Sequence, residues 1–219
     1  MKVLIVSATK FEIQPLLNQM ETTCDLGGRL ICCTYKKLEI DYLTAGIGMV
    51  STAYYSGKVI SDSYDVAINA GICGSFNRNL QIGSVVNVYE DYFSELGAED
   101  GDQFLSLEEL KLEGVTKITN LKHRNLNAVI EILPAVNGIT VNTAHGNEQS
   151  IKNIFQKFHP MIESMEGAAF MFVCENENIP YVQIRAVSNF VEHRNKNAWN
   201  IPLAIENLNK KMLEILNNL

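Results

Sequence analysis

Two short segments of the chain carry residue types suited to acid–base chemistry beside a polar ligand. The segment ESMEGAAF places Met165 and Glu166 side by side at the predicted start of a helix. The segment RAVSNF ends an apolar run in Ser188 and Asn189. A carboxylate accepts hydrogen bonds or a proton, and a side-chain amide presents one donor and one acceptor group. A third candidate, Glu12, follows the first apolar run and adds a second carboxylate.

The elements that must position these residues follow an alternating pattern. Predicted strands are Val3 to Val6, Leu30 to Tyr35, Glu39 to Thr44, Asp65 to Asn69, Ser84 to Tyr89, Gly138 to Val141 and Tyr181 to Val187. Predicted helices are Gly48 to Ser61, Glu148 to Phe158, Gly167 to Asn176 and Ile201 to Leu219. Alternation of this kind predicts an α/β fold: a three-layer sandwich whose central mixed, largely parallel β-sheet is flanked by helices.

The length of the chain and the absence of linkers favour a single domain over residues 1–219. Residues 91–126 are polar and poorly periodic, which predicts a loop with one short helix around Leu107 to Leu112. In an α/β fold ligands bind where strands end, so each predicted strand end contributes candidates. Besides the residues above, these candidates are Gly46, Ile72, Gly74, Thr143 and His145.

Composition narrows the possible partners. The 18 Lys and Arg residues against 25 Asp and Glu residues give a net charge of −7, which argues against nucleic acid and anionic membranes. The first residues lack the apolar core of a signal peptide or spanning helix. Five cysteines without a C-x-x-C pair favour reduced thiols, and the four histidines show no metal-ligand spacing. We therefore expect a cytoplasmic protein without a structural metal.

The glycine-containing segment TAGIGMVS superficially matches a dinucleotide-binding fingerprint. Ser51 occupies the third glycine position, however, and no acidic residue ends the following strand, so nicotinamide binding is disfavoured. These glycines either let the backbone approach a ligand closely or form tight strand-to-helix turns. The residues alone leave both interpretations open.

Six groups of residues together carry a family resemblance. They are SATKFEIQPLL, TAGIGMVSTAY, INAGICGSF with NLQIGSVV, VNTAHG, ESMEGAAF and RAVSNFVEHRNKNAW. The chain resembles the purine nucleoside phosphorylase and nucleosidase superfamily over nearly its whole length, and most closely the futalosine hydrolases. The resemblance implies attack of water on the anomeric carbon of a nucleoside with release of a purine. It also implies a homodimer or higher homo-oligomer, and neither cofactor nor metal.

The same resemblance assigns roles to individual residues. Glu12 matches the glutamate that activates water, and Glu166 matches the glutamate that binds the ribose hydroxyls. Met165 matches a methionine against the sugar and base, and Arg185 an arginine near the water. Trp199, in the segment after Asn189, is a candidate contact for the carboxyphenyl tail of futalosine.

Two positions depart from the adenine-cleaving relatives, which carry aspartate at Asn189 and serine at Ile72. An amide donates to a 6-oxo group and accepts from a protonated N7, so Asn189 favours hypoxanthine over adenine. The alkyl side chain of Ile72 binds neither phosphate nor water, which favours hydrolysis over phosphorolysis. An amide is no general acid, so the source of the proton for the leaving base stays open.

Structural interpretations exist for the same residues. Glu12 pairs by spacing with Thr9 as a capping box, although Pro15 argues against a helix capped there. Glu166 is a first-turn acid that complements the helix dipole. Asn189 is a candidate for an Asx turn.

Three further candidates have equally plain explanations. Arg185 lies in an apolar strand and requires pairing, which an ion pair with Glu12 or Glu163 would supply. His145 is explained as a solvent-facing loop residue, and Trp199 as an anchor for the final helix. Rival functions are an adenine nucleosidase, an inosine-type phosphorylase and a catalytically silent module that binds purine nucleosides.

Overall fold

A computed structural model describes residues 1–25, 28–101, 103–120 and 126–219. The strands are β1 (Lys2–Ser7), β2 (Glu21–Asp25), β3 (Leu30–Tyr35), β4 (Leu38–Thr44), β5 (Val66–Ser75), β6 (Val85–Phe93), β7 (Gly97–Asp100), β8 (Gln103–Ser106), β9 (Lys117–Thr119), β10 (Ala135–Thr140), β11 (Ile162–Ser164) and β12 (Tyr181–Phe190). The helices are α1 (Lys10–Leu17), α2 (Met49–Val59), α3 (Ala128–Glu131), α4 (Glu148–Phe158), α5 (Gly167–Glu177) and α6 (Ile201–Asn217).

One ten-stranded mixed sheet organises the chain. Its order is β11-β10-β6-β12-β5-β1-β4-β3-β2, with β9 added beside β6. The central neighbours β4, β1, β5 and β12 run parallel, and so do β6, β10 and β11. The pairs β12–β6, β4–β3 and β3–β2 are antiparallel. The C-terminal end of β5 also pairs with β11. This pairing closes one half of the sheet into a ring of five strands, β5, β12, β6, β10 and β11. This closure brings the ends of several strands around β5.

Helices cover both faces of this sheet. Helices α1, α3 and α6 pack together on one face, and α2 and α5 on the other. The first face buries side chains such as Ile13, Leu208 and Met212, and the second buries Phe170 and Met171. The predicted α/β sandwich is therefore confirmed. The described part of the chain contains no helix long and apolar enough to cross a membrane.

Two predicted strands extend further than their sequence patterns indicate. Strand β5 continues through Ser75, so Ile72 and Gly74 lie within a strand and not in the loop predicted after Asn69. Strand β12 continues to Phe190 and includes Asn189. Hydrogen-bonded neighbours on both sides hold the glycine-containing part of β5 extended, which local propensity does not reveal.

The region 91–126 differs from the predicted loop. It contains the end of β6, the β7–β8 hairpin and β9, and Leu107 to Leu112 form turns where a helix was predicted. Residues 121–125 of this region lie outside the described part of the chain. Pairing with β6 stabilises the three-residue strand β9, whose sequence is too short to show an alternating hydrophobic pattern.

Candidate active site

Glu12 lies in the first turn of α1, and both of its carboxylate oxygens are anchored. Oε2 accepts hydrogen bonds from the backbone N–H and the hydroxyl of Thr9, each at 2.9 Å. Oε1 accepts from the backbone N–H of Ile72 in β5 at 3.2 Å. An ionised carboxylate offers about four acceptor positions, so one remains available for a water molecule.

The expectation that Pro15 rules out a capped helix was wrong. Pro15 lies inside α1 on its exposed side, where the missing N–H and the ring disturb the helix without burying unpaired groups. Asn209 of α6 bridges the following turn: its Oδ1 accepts from the N–H of Leu16 at 2.9 Å, and its Nδ2 donates to the carbonyl of Glu12 at 2.8 Å. A buried amide from the last helix thus holds the backbone of Glu12.

Glu166 lies at the N-cap of α5, but its carboxylate makes no capping hydrogen bond to that helix. Oε1 accepts instead from the N–H of Gly48, at the start of α2, at 3.0 Å. Gly48 adopts φ of 92°, which glycine tolerates. Burial raises the pKa of Glu166, Arg185 opposes that rise, and the negative charge of Glu12 adds to it.

Arg185 is 1% exposed in the middle of β12. The predicted ion pair with Glu12 or Glu163 is not formed, since no carboxylate oxygen among the described residues lies within 4.0 Å of its guanidinium nitrogens. The guanidinium donates to the side-chain and backbone oxygens of Asn69 and to the carbonyl of Ile184. Its positive charge thus remains available to stabilise anions nearby.

Gly71 explains how Arg185 and Glu12 approach each other. A Cβ atom at Gly71 would lie 3.1 Å from Oε1 of Glu12 and 3.3 Å from Nη1 of Arg185. A larger residue would displace both charged groups. The glycine therefore makes room for the two side chains beside β5.

Asn189 occupies a β-bulge near the end of β12. Pairing with β5 shifts by one residue between Val187 and Asn189, which places Asn189 opposite Gly74. Its Nδ2 donates to the carbonyl of Phe190 at 3.0 Å, and its Oδ1 accepts from the hydroxyl of Ser188 at 2.8 Å. These bonds to adjacent residues differ from an Asx turn and fix which side of the amide is the donor.

His145 is not the solvent-facing loop residue that was expected. Its Nδ1 lies 2.7 Å from Oε2 of Glu163, and its backbone N–H donates to Oε1 of the same carboxylate at 3.1 Å. The side chains of His145 and Glu163 are 12% and 6% exposed. Because the backbone N–H of His145 already donates to Glu163, this N–H is not free to bind a purine base.

The remaining candidates differ in position. Gly46 donates its N–H to the carbonyl of Ala8 at 3.0 Å and so ties the turn before α2 to the end of β1. Met165 is half-buried beside Glu166, whereas Thr143 is exposed. Trp199 is half-buried beneath the guanidinium of Arg194, whose carbon lies 5.2 Å from the ring centroid. Met165 thus adjoins Glu166 along the chain, Gly46 lies in the turn that also contains Gly48, and Thr143 and Trp199 lie on outer loops.

Sequence reasoning missed a buried polar cluster below Glu166. Asp91 of β6 accepts from the hydroxyl of Thr140 at 3.0 Å and from Nε2 of Gln183 at 2.9 Å. Burial raises the pKa of Asp91 to about 6. A Cβ atom at Gly167 would lie 2.3 Å from Oδ2 of Asp91, so any larger first residue of α5 would displace the side chains of this cluster. A single acid in a segment predicted as loop gave no signal of this cluster.

The chemistry of the site is that of carboxylates, amides and one imidazole. Among residues 1–25, 28–101, 103–120 and 126–219, no group of three or more His, Cys, Asp or Glu side chains is arranged to hold a metal ion. The arrangement allows proton transfer to Glu12, hydroxyl binding by Glu166 and recognition of a polar heterocycle by Asn189.

Known proteins share this sequence and architecture. A family model of the phosphorylase superfamily matches residues 2–217. Futalosine hydrolase of Streptomyces coelicolor is 32% identical over 176 residues, which cover 75% of this chain and 73% of that protein. The 5'-methylthioadenosine/S-adenosylhomocysteine nucleosidase of Lysinibacillus sphaericus is 24% identical over 235 aligned residues covering both chains completely.

A solved structure supports the same assignment of fold. Futalosine hydrolase of Helicobacter pylori superposes with a TM-score of 0.83 at 18% identity, covering 99% of this chain and 97% of that one. The likeness confirms the mixed sheet flanked by helices that the sequence predicts. On the extent of the family match and the identity to the Streptomyces protein, this chain belongs to the phosphorylase superfamily and, within it, to the futalosine hydrolases.

Proposed function

We propose that this chain, as a single nucleosidase domain, hydrolyses the N-glycosidic bond of futalosine and releases hypoxanthine and dehypoxanthine futalosine, a step of menaquinone biosynthesis. The observation that carries the proposal is the convergence of three polar groups on β5. Glu12 binds the N–H of Ile72, Arg185 lies beside Gly71, and Asn189 lies opposite Gly74. A cation, a carboxylate and an amide therefore lie along the same part of one strand, within reach of one bound nucleoside.

Glu12 is the group that activates water. Three donors hold its carboxylate in place, and the remaining lone pair accepts a hydrogen bond from the attacking water. As the water oxygen bonds to the anomeric carbon, its proton moves to Glu12. Glu166 accepts hydrogen bonds from the ribose hydroxyls, and its negative charge stabilises the positive charge that develops on the sugar.

Asn189 selects the base. Its Nδ2 has one N–H beyond the bond to Phe190, and its Oδ1 keeps a lone pair beyond the bond from Ser188. The first donates to the 6-oxo group of hypoxanthine and the second accepts from N7–H. Adenine would place its 6-amino group against the amide NH₂, which leaves two donors facing each other.

The surroundings of Ile72 favour water over phosphate. Its alkyl side chain offers no hydrogen bond, and its backbone N–H already donates to Glu12. A phosphate at this position would meet the charge of Glu12 and lack that donor. Hydrolysis is therefore preferred over phosphorolysis.

We expect a homodimer or higher homo-oligomer in the cytoplasm. Three apolar side chains, Ile47, Val50 and Tyr54, are 62%, 82% and 54% exposed along one side of α2 and its preceding turn. Large apolar side chains at successive helical turns are typical of interaction surfaces. Gly48, which binds Glu166, lies in the same turn, so a second copy on this surface would adjoin the site.

The test measures purine release from futalosine and from methylthioadenosine, with and without phosphate. The proposal predicts hypoxanthine from futalosine at a rate independent of phosphate. The full-length similarity to a methylthioadenosine nucleosidase makes adenine release the second candidate. Faster adenine release, a requirement for phosphate, or binding without turnover would each contradict the proposal in favour of the corresponding rival.

A further inference from the structure

Departure of the purine requires a proton, and the residues assigned above do not supply one. The amide of Asn189 has no acidic proton. Glu12 accepts a proton from water, and three hydrogen-bond donors hold its carboxylate in place. Another titratable group must therefore face the base.

His145 and Glu163 form a carboxylate–imidazole pair at the required end of β5. The carboxylate at Nδ1 fixes the hydrogen on that nitrogen, so Nε2 is the atom left to exchange a proton. Nε2 forms no hydrogen bond to another residue of the described chain. The edge of Phe76, with its ring centroid 6.4 Å from that of His145, adds an apolar wall.

Gly74 relates this pair to Asn189. Glu163 of β11 and Asn189 of β12 are both paired with Gly74, from opposite sides of β5. A Cβ atom at Gly74 would lie 3.3 Å from Nδ2 of Asn189 and 3.4 Å from Cγ of Glu163. The two side chains therefore converge over one glycine.

The loops beyond these strands also meet. A Cβ atom at Gly146, which follows His145, would lie 3.4 Å from Cβ of Arg194 in the segment after Asn189. On its other side His145 lines a cleft with Ser94, Glu95 and Gln149. The imidazole thus borders a cleft, and the residue after it contacts the segment that follows Asn189.

We propose that His145, held by Glu163, is the general acid that protonates the departing purine; this inference rests on the proposed function. As the bond between the anomeric carbon and N9 breaks, its electron pair passes to the purine, and the proton on Nε2 moves to N7, where the N–H that forms is shared between Nε2 of His145 and Oδ1 of Asn189. Water forms the new carbon–oxygen bond and gives its proton to Glu12. The cycle closes when that proton returns through solvent to the imidazole. Glu163 accepts the hydrogen bond from Nδ1 and so holds the ring in the orientation that presents Nε2.

The test compares futalosine with its N7-methylated derivative. The methylated purine is already cationic and leaves without a proton, so it bypasses the general acid. We expect His145→Gln to lower kcat for futalosine about 10²- to 10³-fold and to leave the rate for the methylated substrate within about threefold. Glu163→Gln should show the same selectivity at about tenfold.

Two control variants test whether the effect is specific to the proposed general acid. Glu12→Gln should slow both substrates, because water activation is needed in either case. His193→Gln, at an exposed histidine of the segment after Asn189, should change neither rate. If His145→Gln does not fold, Glu163→Gln carries the same comparison.

Equal slowing of both substrates by the His145 and Glu163 variants, or no slowing of either, would overturn the inference while leaving futalosine hydrolysis intact. A wild-type chain that releases no purine from futalosine would instead overturn the proposed function, and this inference with it.

Discussion

The two sides of the site are held in place by different means. On the sugar side, backbone N–H groups from other segments fix the carboxylates: Ile72 binds Glu12 and Gly48 binds Glu166. On the base side, the amide of Asn189 bonds, among the described residues, to its immediate neighbours Ser188 and Phe190 within a bulge. The sugar side thus depends on the tertiary structure, whereas base recognition depends on a few local side chains. A single substitution on the base side should alter specificity without disturbing the sheet.

The largest effect should follow substitution on the sugar side. Glu12→Gln keeps an oxygen and the shape of the side chain but removes the proton acceptor, so kcat should fall about 10³-fold. Steady-state hypoxanthine release measures this change, and Glu39→Gln, at an exposed carboxylate of β4, is the matched control. Turnover within tenfold of the wild type would exclude Glu12 as the base.

A change on the base side should exchange specificity and keep stability. Asn189→Asp places a carboxylate against the 6-oxo group, so hypoxanthine release should fall about 10²-fold while adenine release from methylthioadenosine rises. Asn197→Asp adds the same charge at an exposed position of the following segment and should do neither. Equal loss on both substrates would indicate that Asn189 does not select the base.

Asn209 tests whether the sugar side depends on distant contacts. Asn209→Leu leaves the N–H of Leu16 and the carbonyl of Glu12 without their buried partner, which should lower the free energy of unfolding by roughly 2–4 kcal/mol. The shift of Glu12 should also lower kcat about tenfold, with little change in KM. Urea unfolding and kinetics measure both effects.

Asn218→Leu, at the exposed end of the same helix, where the side chain donates to Glu214 of the last turn, is the control. A variant that loses stability but keeps the wild-type kcat would show that Asn209 supports α1 without positioning Glu12.

The smallest effect concerns pH and the cluster below Glu166. Burial raises the pKa of Asp91 from 3.8 to about 6. As the pH rises, the unfolded chain therefore loses this proton at a lower pH than the folded chain does. The contribution of Asp91 to stability is therefore full below about pH 3.8 and is lost as pH rises through about 6. Between about pH 4.5 and about pH 7 this loss amounts to about 2 kcal/mol.

Asp91→Asn should remove that part of the pH dependence, as measured by urea unfolding at both pH values, while the exposed Asp100→Asn should retain it. An unchanged pH profile in Asp91→Asn would contradict a raised pKa at this position.

Local sequence predicts the parts of the site that lie near strand ends. Glu166 begins a predicted helix and Asn189 ends an apolar run, and their surrounding motifs point to the family that the comparisons show. The length of β5 was not predictable, because Gly71 and Gly74 read as turn residues until their neighbouring strands are known. The catalytic roles remain proposals that the substitutions above test.

Helix α1 and the His145–Glu163 pair show a different limit. By local rules Pro15 ends a helix, but Asn209 supports the disturbed turn from 193 residues away along the chain. His145 and Glu163 are 18 residues apart in sequence. They meet because β11, which carries Glu163, pairs with β10, and His145 lies in the loop that follows β10. Both features depend on contacts between segments that are distant in sequence, and local sequence patterns do not predict such contacts.

The most direct test of the account is a crystal structure of this chain with hypoxanthine bound. We predict that Nδ2 of Asn189 lies within hydrogen-bonding distance of O6 and that Oδ1 faces N7, with the base beside Gly74. A base bound elsewhere, or an amide of Asn189 that turns away from the purine, would contradict selection of a keto purine by this residue.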